Sequence, residues 1–282
     1  MIVVTGATGQ LGRLVIKALL KKVPAAEIVA AVRNPEKAKD LAESGIQVRY
    51  ADYSQTASWD EALKGADKVL LISSSEIGQR ANQHRNVIDA AKRSGVKLLA
   101  YTSVLHAGTS PLGLAAEHRA TEALLSASGV PFVLLRNGWY TENYTAGVPA
   151  ALTHGAVYGC AGDGRISSAA RADYAEAAAA VLTTDNQAGR VYELAGDTSY
   201  TLTELTAEIS RQSGKSIGYV NLPEAEYKSV LIKVGLPEVI AELLANSDTG
   251  ASKDALFDDS RQLSKLIGRP TTSLATAIAA IL

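Results

Sequence analysis

The run Ile2 to Thr5 passes directly into Gly6, Gly9 and Gly12, and then into Leu11, Val15, Ile16, Leu19 and Leu20 at helical spacing. No other feature constrains the chain as much as this order of strand, glycine turn and amphipathic helix. Further β-rich apolar runs lie at Ile28 to Val32, Val48 to Ala51, Val69 to Ile72, Leu98 to Tyr101 and Phe132 to Leu135. Helical stretches separate them, one carrying Val87, Ile88 and Ala91. Repeated strand–helix–strand units with right-handed crossovers give a parallel sheet covered on both faces by helices, with a ligand crevice outside the carboxyl ends of the strands.

The fold class is therefore α/β, a Rossmann doubly wound parallel sheet with a smaller α/β C-terminal lobe. The pattern loosens after Asn137. Gly155 to Ser168 looks like a loop, Ala172 to Leu182 an alanine-rich helix and Val191 to Leu194 a strand. Thr201 and Glu204 have capping-box spacing ahead of Leu205 and Ile209, and Leu222 to Leu244 predicts one or two helices. The division is a nucleotide-binding domain over residues 1–150 and a substrate-side lobe over 151–282, with the chain partly re-entering the first domain.

With 28 basic and 29 acidic residues the formal net charge is −1, so no broad field draws nucleic acid or an anionic membrane, and the expected partner is a small molecule. No apolar run reaches the roughly 20 residues of a membrane span. One cysteine, Cys160, precludes an intrachain disulfide, and the strand begins straight after Met1 without a basic leader, which points to the cytoplasm. Apolar carboxyl-terminal helices leave self-association as a homo-oligomer open. One cysteine and four scattered histidines form no metal-ligand spacing.

Diphosphate needs a close approach to main-chain amides, which glycines permit and a helix start supplies. The loop Gly6, Ala7, Thr8, Gly9, Gln10, Leu11, Gly12 stands where such a site must lie. NAD-preferring folds place a carboxylate after the second strand; here Arg33 stands there, with Lys37 nearby, and a guanidinium suits the 2'-phosphate of NADP(H). A solvated surface arginine gives the same sequence. Asp52 after the third strand is placed to accept from the adenine amino group, and Ser73, Ser74 and Ser75 after the fourth to lie along ribose and phosphate. Equally, an acid after a strand can cap a turn, and a serine run can be a polar loop.

The segments TGATGQLG at 5–12, VRNPEKA at 32–38, LLISSSEIGQR at 70–80, LLRNGWYTENY at 134–144, AGDGRISSAARADYA at 161–175, YELAGD at 192–197 and SKLIGRPTT at 264–272 resemble the NmrA-like branch of the atypical short-chain dehydrogenases, especially its bacterial NAD(P)H:quinone oxidoreductases. The likeness runs essentially end to end. It implies that Asn137, Gly138, Trp139, Tyr140, Thr141 and Glu142 pack beside the nicotinamide and ribose, and that Arg171 belongs to the same surface. Physically, Asn137 offers an amide, Trp139 and Tyr140 flat apolar walls, and Arg171 a phosphate contact. Packing in a core explains the two aromatics equally well.

Ordinary short-chain dehydrogenases use a Tyr-x-x-x-Lys pair on the helix after the fifth strand, and this chain has Leu114 and His118 there. Alcohol dehydrogenation by that route is therefore not expected. Three readings remain: an NADPH-dependent quinone oxidoreductase passing hydride without flavin, a reductase of other flat electrophiles such as dyes, or a non-catalytic NADP(H)-sensing regulator. A quinone needs little acid help because hydride addition yields an aromatic hydroquinone anion. Ser103, His106 and Tyr140 are the candidate proton donors; His84 and His154 show no partners in the sequence.

Overall fold

The computed structural model describes residues 1–282. Seven strands form the main sheet: β1 (Ile2–Val4), β2 (Ile28–Val32), β3 (Gln47–Tyr50), β4 (Lys68–Leu71), β5 (Leu98–Val104), β6 (Phe132–Asn137) and β8 (Val191–Leu194), in the order β3-β2-β1-β4-β5-β6-β8. The pairings from β3 through β6 are all parallel. Strand order reverses between β1 and β4, which puts the crevice at their carboxyl ends.

The sheet holds because its central strands are buried on both faces. β1, β2 and β5 are wholly buried, as strands covered on both sides by helices must be. The helix Gln10–Leu19 buries Leu11, Val15, Ile16 and Leu19, whereas Leu20, expected on the same face, is the C-cap and 40% exposed. It packs against the helix Arg171–Thr183, whose alanines permit a close approach. The Lys68 ammonium bonds the Leu182 carbonyl at 2.8 Å, a cation at a helix carboxyl end.

The chain divides into two compact units: Met1–Ala107, Ala116–Asn137 and Arg171–Tyr192 in the first, Gly108–Ala115, Gly138–Ala170 and Glu193–Leu282 in the second. The expected boundary lies at 150; the chain leaves the first unit after Asn137 and returns to it from Arg171 to Tyr192. In the second unit, the stretch expected as a loop over Gly155 to Ser168 contains a strand, β7 (Ala156–Gly159), paired in parallel with β9 (Gly218–Asn221). The two are short, half-exposed and polar-flanked, so no apolar run marks them. The capping box forms, with Glu204 N–H donating to Thr201 Oγ1 at 3.1 Å and Thr201 N–H to Glu204 Oε2 at 2.7 Å. The stretch from Leu222 to Leu244 holds the helix Glu224–Lys233 and the start of the helix Glu238–Ala251. No helix is long and apolar enough to cross a membrane.

Beneath the sheet's carboxyl end, the helix Arg80–Arg93 carries His84 into the core at zero exposure. Its Nε2 accepts from Ser74 N–H at 2.9 Å, which leaves the proton on Nδ1 for Thr121 Oγ1, also at 2.9 Å. So His84, unpartnered in the sequence, is fully partnered in the fold. Burial, with help from the Arg80 charge, pushes its pKa down to about 3. The imidazole thus stays neutral in the native state while an unfolded chain takes up a proton below about pH 6.5. Stability from this site is full above pH 6.5 and is lost as pH falls toward 3, at about 1.4 kcal/mol per pH unit. Between pH 7.5 and pH 5 the unfolding free energy measured in urea should therefore fall by about 2 kcal/mol more in wild type than in His84→Gln, which keeps an acceptor for Ser74 but cannot protonate. Equal pH slopes for the two proteins would overturn this account.

Candidate active site

At the reversal of strand order the loops after β1, β2, β3 and β4 meet around one cavity of about 350 Å³. Of the residues proposed from the sequence, Gly6, Thr8, Gly9, Gln10, Leu11, Gly12, Arg33, Asp52, Ser73, Ser74 and Ser75 line it; Ala7 is fully buried behind the loop. A larger depression beside Arg49 and Lys64 holds no motif residue, and the Arg49 guanidinium there is spent on the Ala62 and Lys64 carbonyls.

The three glycines have different duties. Gly6 sits at φ +56°, the left-handed region that side chains avoid. Gly12 admits the turn itself: a Cβ there would lie 2.4 Å from the Gly6 carbonyl oxygen and 2.8 Å from Ala7 Cα. At Gly9, the N-cap, a Cβ would meet only the Gly6 oxygen, at 3.1 Å, so this glycine is kept free for an approach from the cavity side. Its helix starts without a side-chain cap, and the amides of Gln10, Leu11 and Gly12 are first-turn donors with no intrahelical partner. The chemistry of that donor set fits a diphosphate.

The floor is a closed ring of hydrogen bonds. Ile72 N–H donates to Thr5 Oγ1 at 2.9 Å, the Thr5 and Tyr53 hydroxyls are 2.6 Å apart, and Tyr53 donates to the Ile72 carbonyl at 2.6 Å. Burial holds the Tyr53 hydroxyl well above the usual phenol range. Trp59 stands beside it, ring centroids 5.4 Å apart, its indole N–H on the Asp52 carbonyl at 2.9 Å. Tyr53, Trp59 and Glu76 are walls that sequence reasoning missed; Tyr53 in the run Ala51-Asp52-Tyr53 was the available signal.

The Asp52 carboxylate faces the cavity but also takes Ser54 N–H at 2.8 Å, so it caps its turn as well. Ser73 N–H is held by Thr102 Oγ1 at 2.8 Å, and Ser74 by His84, by Gln83 and, through its carbonyl, by the Arg80 Nε–H at 2.8 Å. Arg33 comes just before a stop made by Asn34, whose side chain caps the next turn at Glu36 N–H, and Pro35. Arg33 is 72% exposed and paired with Glu76 at 3.2 Å. Lys37 is not among the cavity walls.

The remaining candidates stand elsewhere. Asn137 ends β6 at 7% exposure, its Oδ1 buried and without a hydrogen-bond partner, as an amide kept for a ligand would be. Arg171 begins the helix Arg171–Thr183 in the first unit. In the second unit, Gly138 N–H bonds the Leu194 carbonyl at 2.7 Å, and Tyr140 bridges Ala169 through Thr141 N–H to the Ala169 carbonyl at 2.9 Å and Ala169 N–H to the Trp139 carbonyl at 3.1 Å. The Thr141 hydroxyl lies 2.8 Å from Ser168 Oγ, itself 2.6 Å from the Tyr200 hydroxyl. Trp139 is 9% exposed and so mostly core, while Tyr140 and Glu142 are half-buried.

Of the proton-donor candidates, Ser103 Oγ already donates to Glu122 at 2.6 Å, inside a largely buried pair in which Arg136 holds Glu122 at 2.7 Å. His106 occupies a left-handed turn, φ +53°. His118, standing where the catalytic lysine would be, is 4% exposed, bonded through Nδ1 to the Tyr101 hydroxyl at 2.7 Å, and held by burial well below its usual pKa. It cannot serve as that lysine.

Residues 6–185 match the model of an NAD(P)H-binding family. The chain is 62% identical to quinone oxidoreductase 2 of Escherichia coli over 99% of its own length and 97% of that protein. The crystal structure of the NADPH-dependent quinone oxidoreductase of Escherichia coli complexed with NADPH superimposes with a TM-score of 0.98 at 61% identity, over 100% of this chain and 99% of the other. Citrobacter triphenylmethane reductase complexed with NADP(H) gives 0.97 at 40% identity, over 100% of both chains. Glycine loop, strand order and these matches agree: the chain belongs to the NAD(P)H-binding family, in its NmrA-like group of atypical short-chain dehydrogenases.

Proposed function

We propose that this chain is an NADPH-dependent quinone oxidoreductase that works without flavin. The observation that carries the reading is the convergence of four strand-end loops on one cavity with free helix-start amides and an arginine at its rim, in a chain 62% identical over nearly its whole length to a quinone oxidoreductase. Gln10, Leu11 and Gly12 would hold the diphosphate, Arg33 the 2'-phosphate, and Asp52 with Ser73 to Ser75 the adenosine side. Asn137, the loop Gly138 to Glu142 and Arg171 would take the nicotinamide side. NADPH, when bound, supplies the hydride. The protein's own contribution would be positioning: the doubly tied segment Trp139 to Thr141 would offer the half-buried Tyr140 as a flat wall, and the open Asn137 Oδ1 would accept an N–H of the carboxamide. The 40% identical triphenylmethane reductase marks flat electrophiles as the wider acceptor class.

The glycine duties give a contrast. Gly9→Val, whose Cβ meets one backbone oxygen at 3.1 Å, should fold with a smaller loss of melting temperature than Gly12→Ala, whose Cβ meets backbone 2.4 Å away, yet gain no thermal stability from saturating NADPH. A Gly9→Val protein stabilised by NADPH as wild type is would refute the diphosphate assignment.

Because the Ser103 proton is committed to Glu122 and no Tyr-x-x-x-Lys pair exists, no single acid should dominate. Ser103→Ala, His106→Ala and Tyr140→Phe should each lower turnover of NADPH with a quinone by less than the ~100-fold that loss of a general acid brings. Purified protein should show no flavin absorbance while active. A larger single loss with cofactor binding intact, or a requirement for added flavin, would sink this mechanism.

A further inference from the structure

Arg33 alone after the second strand argues for NADP(H), yet the fold does not leave it alone. Glu76, from the loop after β4, reaches across the cavity rim to place Oε1 3.2 Å from Arg33 Nη1. Such a pair between freely moving side chains would mean little. Glu76 is not freely moving. Its Oε2 accepts from Gln83 Nε2 at 2.6 Å, and Gln83 is 4% exposed and itself bonded to the Ser74 hydroxyl. Glu76 N–H also reaches Ser74 Oγ at 3.2 Å. One carboxylate oxygen is thus anchored in the loop while the other is presented to Arg33.

We infer that Glu76 is a specificity-determining residue that opposes the 2'-phosphate. The inference rests on the assignment of Arg33 above. A carboxylate fixed beside the guanidinium competes with the 2'-phosphate of NADPH for it and repels that phosphate. With NADH the same oxygen accepts a hydrogen bond from the 2'-hydroxyl, the role that NAD-preferring folds give to a carboxylate after the second strand. The chain therefore holds both determinants at one rim, the basic one from the loop after β2 and the acidic one from the loop after β4, and it keeps substantial use of NADH.

The anchor dictates what a substitution does. In Glu76→Gln the Gln83 N–H still needs an acceptor, so the new amide oxygen takes the inner position and its NH₂ faces Arg33. A repelling acceptor becomes a donor to phosphate. Dissociation constants for NADPH and NADH, titrated by fluorescence on the purified protein, would be compared for wild type, Glu76→Gln and Arg33→Ala. Glu76→Gln should widen the NADPH to NADH affinity ratio roughly ten-fold at low salt, tightening NADPH and weakening NADH, with the gain shrinking at about 0.5 M NaCl. Arg33→Ala should narrow the ratio. If Glu76→Gln leaves it within about two-fold of wild type while Arg33→Ala narrows it, the role of Arg33 stands and that of Glu76 falls. If Arg33→Ala leaves the ratio unmoved, the 2'-phosphate assignment fails and the inference falls with it.

Discussion

The Thr5 hydroxyl joins three strand ends, bonding Ile72 N–H after β4 and the Tyr53 hydroxyl after β3. Where the order of a parallel sheet reverses, the loops after β1 and β4 turn opposite ways, and peptide groups at the fork lose the ladder that would pair them. Ile72 is such a residue, and the ring through Thr5 and Tyr53 satisfies both its N–H and its carbonyl. Unmet, each would cost about 1–3 kcal/mol. Because the ring takes up these groups from below, the crevice above can remain open, and the donors that face it are those of the helix start at Gln10 to Gly12.

Rigidity in the second unit has a comparable origin. Asp248 is a buried carboxylate at 2% exposure whose two oxygens take the Tyr144 hydroxyl at 2.9 Å and Cys160 N–H at 3.1 Å. Burial raises its pKa to about 6. Gly159 is what admits it, since a Cβ there would sit 2.7 Å from the carboxylate. Tyr144 lies just beyond the Asn137 to Glu142 segment, after Asn143, and the Thr141–Ser168–Tyr200 hydroxyls bind the same segment from another side. Loops usually carry function at the expense of order; here a loop is held at both edges.

How much of this was legible in the sequence depends on whether the information is local. Apolar runs and glycine spacing are local, so the seven sheet strands and the cavity-lining loops could be read from residue order. β7 and β9 could not, because Ala156–Gly159 and Gly218–Asn221 are strands only through each other, some 60 residues apart in the chain. The partners of His84 were hidden for the same reason: Ser74 lies one loop back, but Thr121 comes from a different helix. Trp139 is a third case: the family motif suggests a ligand wall, and only the fold shows that its side chain is 9% exposed.

The departure from the Tyr-x-x-x-Lys pattern is also more than a missing pair. In a dehydrogenase that uses the pair, the helix after β5 turns a polar, cationic face toward the substrate. Here the corresponding helix turns His118 and Thr121 inward, onto Tyr101 and His84, where burial keeps both imidazoles neutral. Restoring a lysine at 118 would bury an ammonium at a site that is 4% exposed, beside the Tyr101 hydroxyl and the Arg80 charge. An unpaired buried charge is among the most destabilising changes a core can suffer. The core of the first unit has thus closed over the place where acid–base machinery stands in the relatives that have it. No general acid is available from this face of the helix, which suits the proposed reaction, whose acceptor needs little acid help.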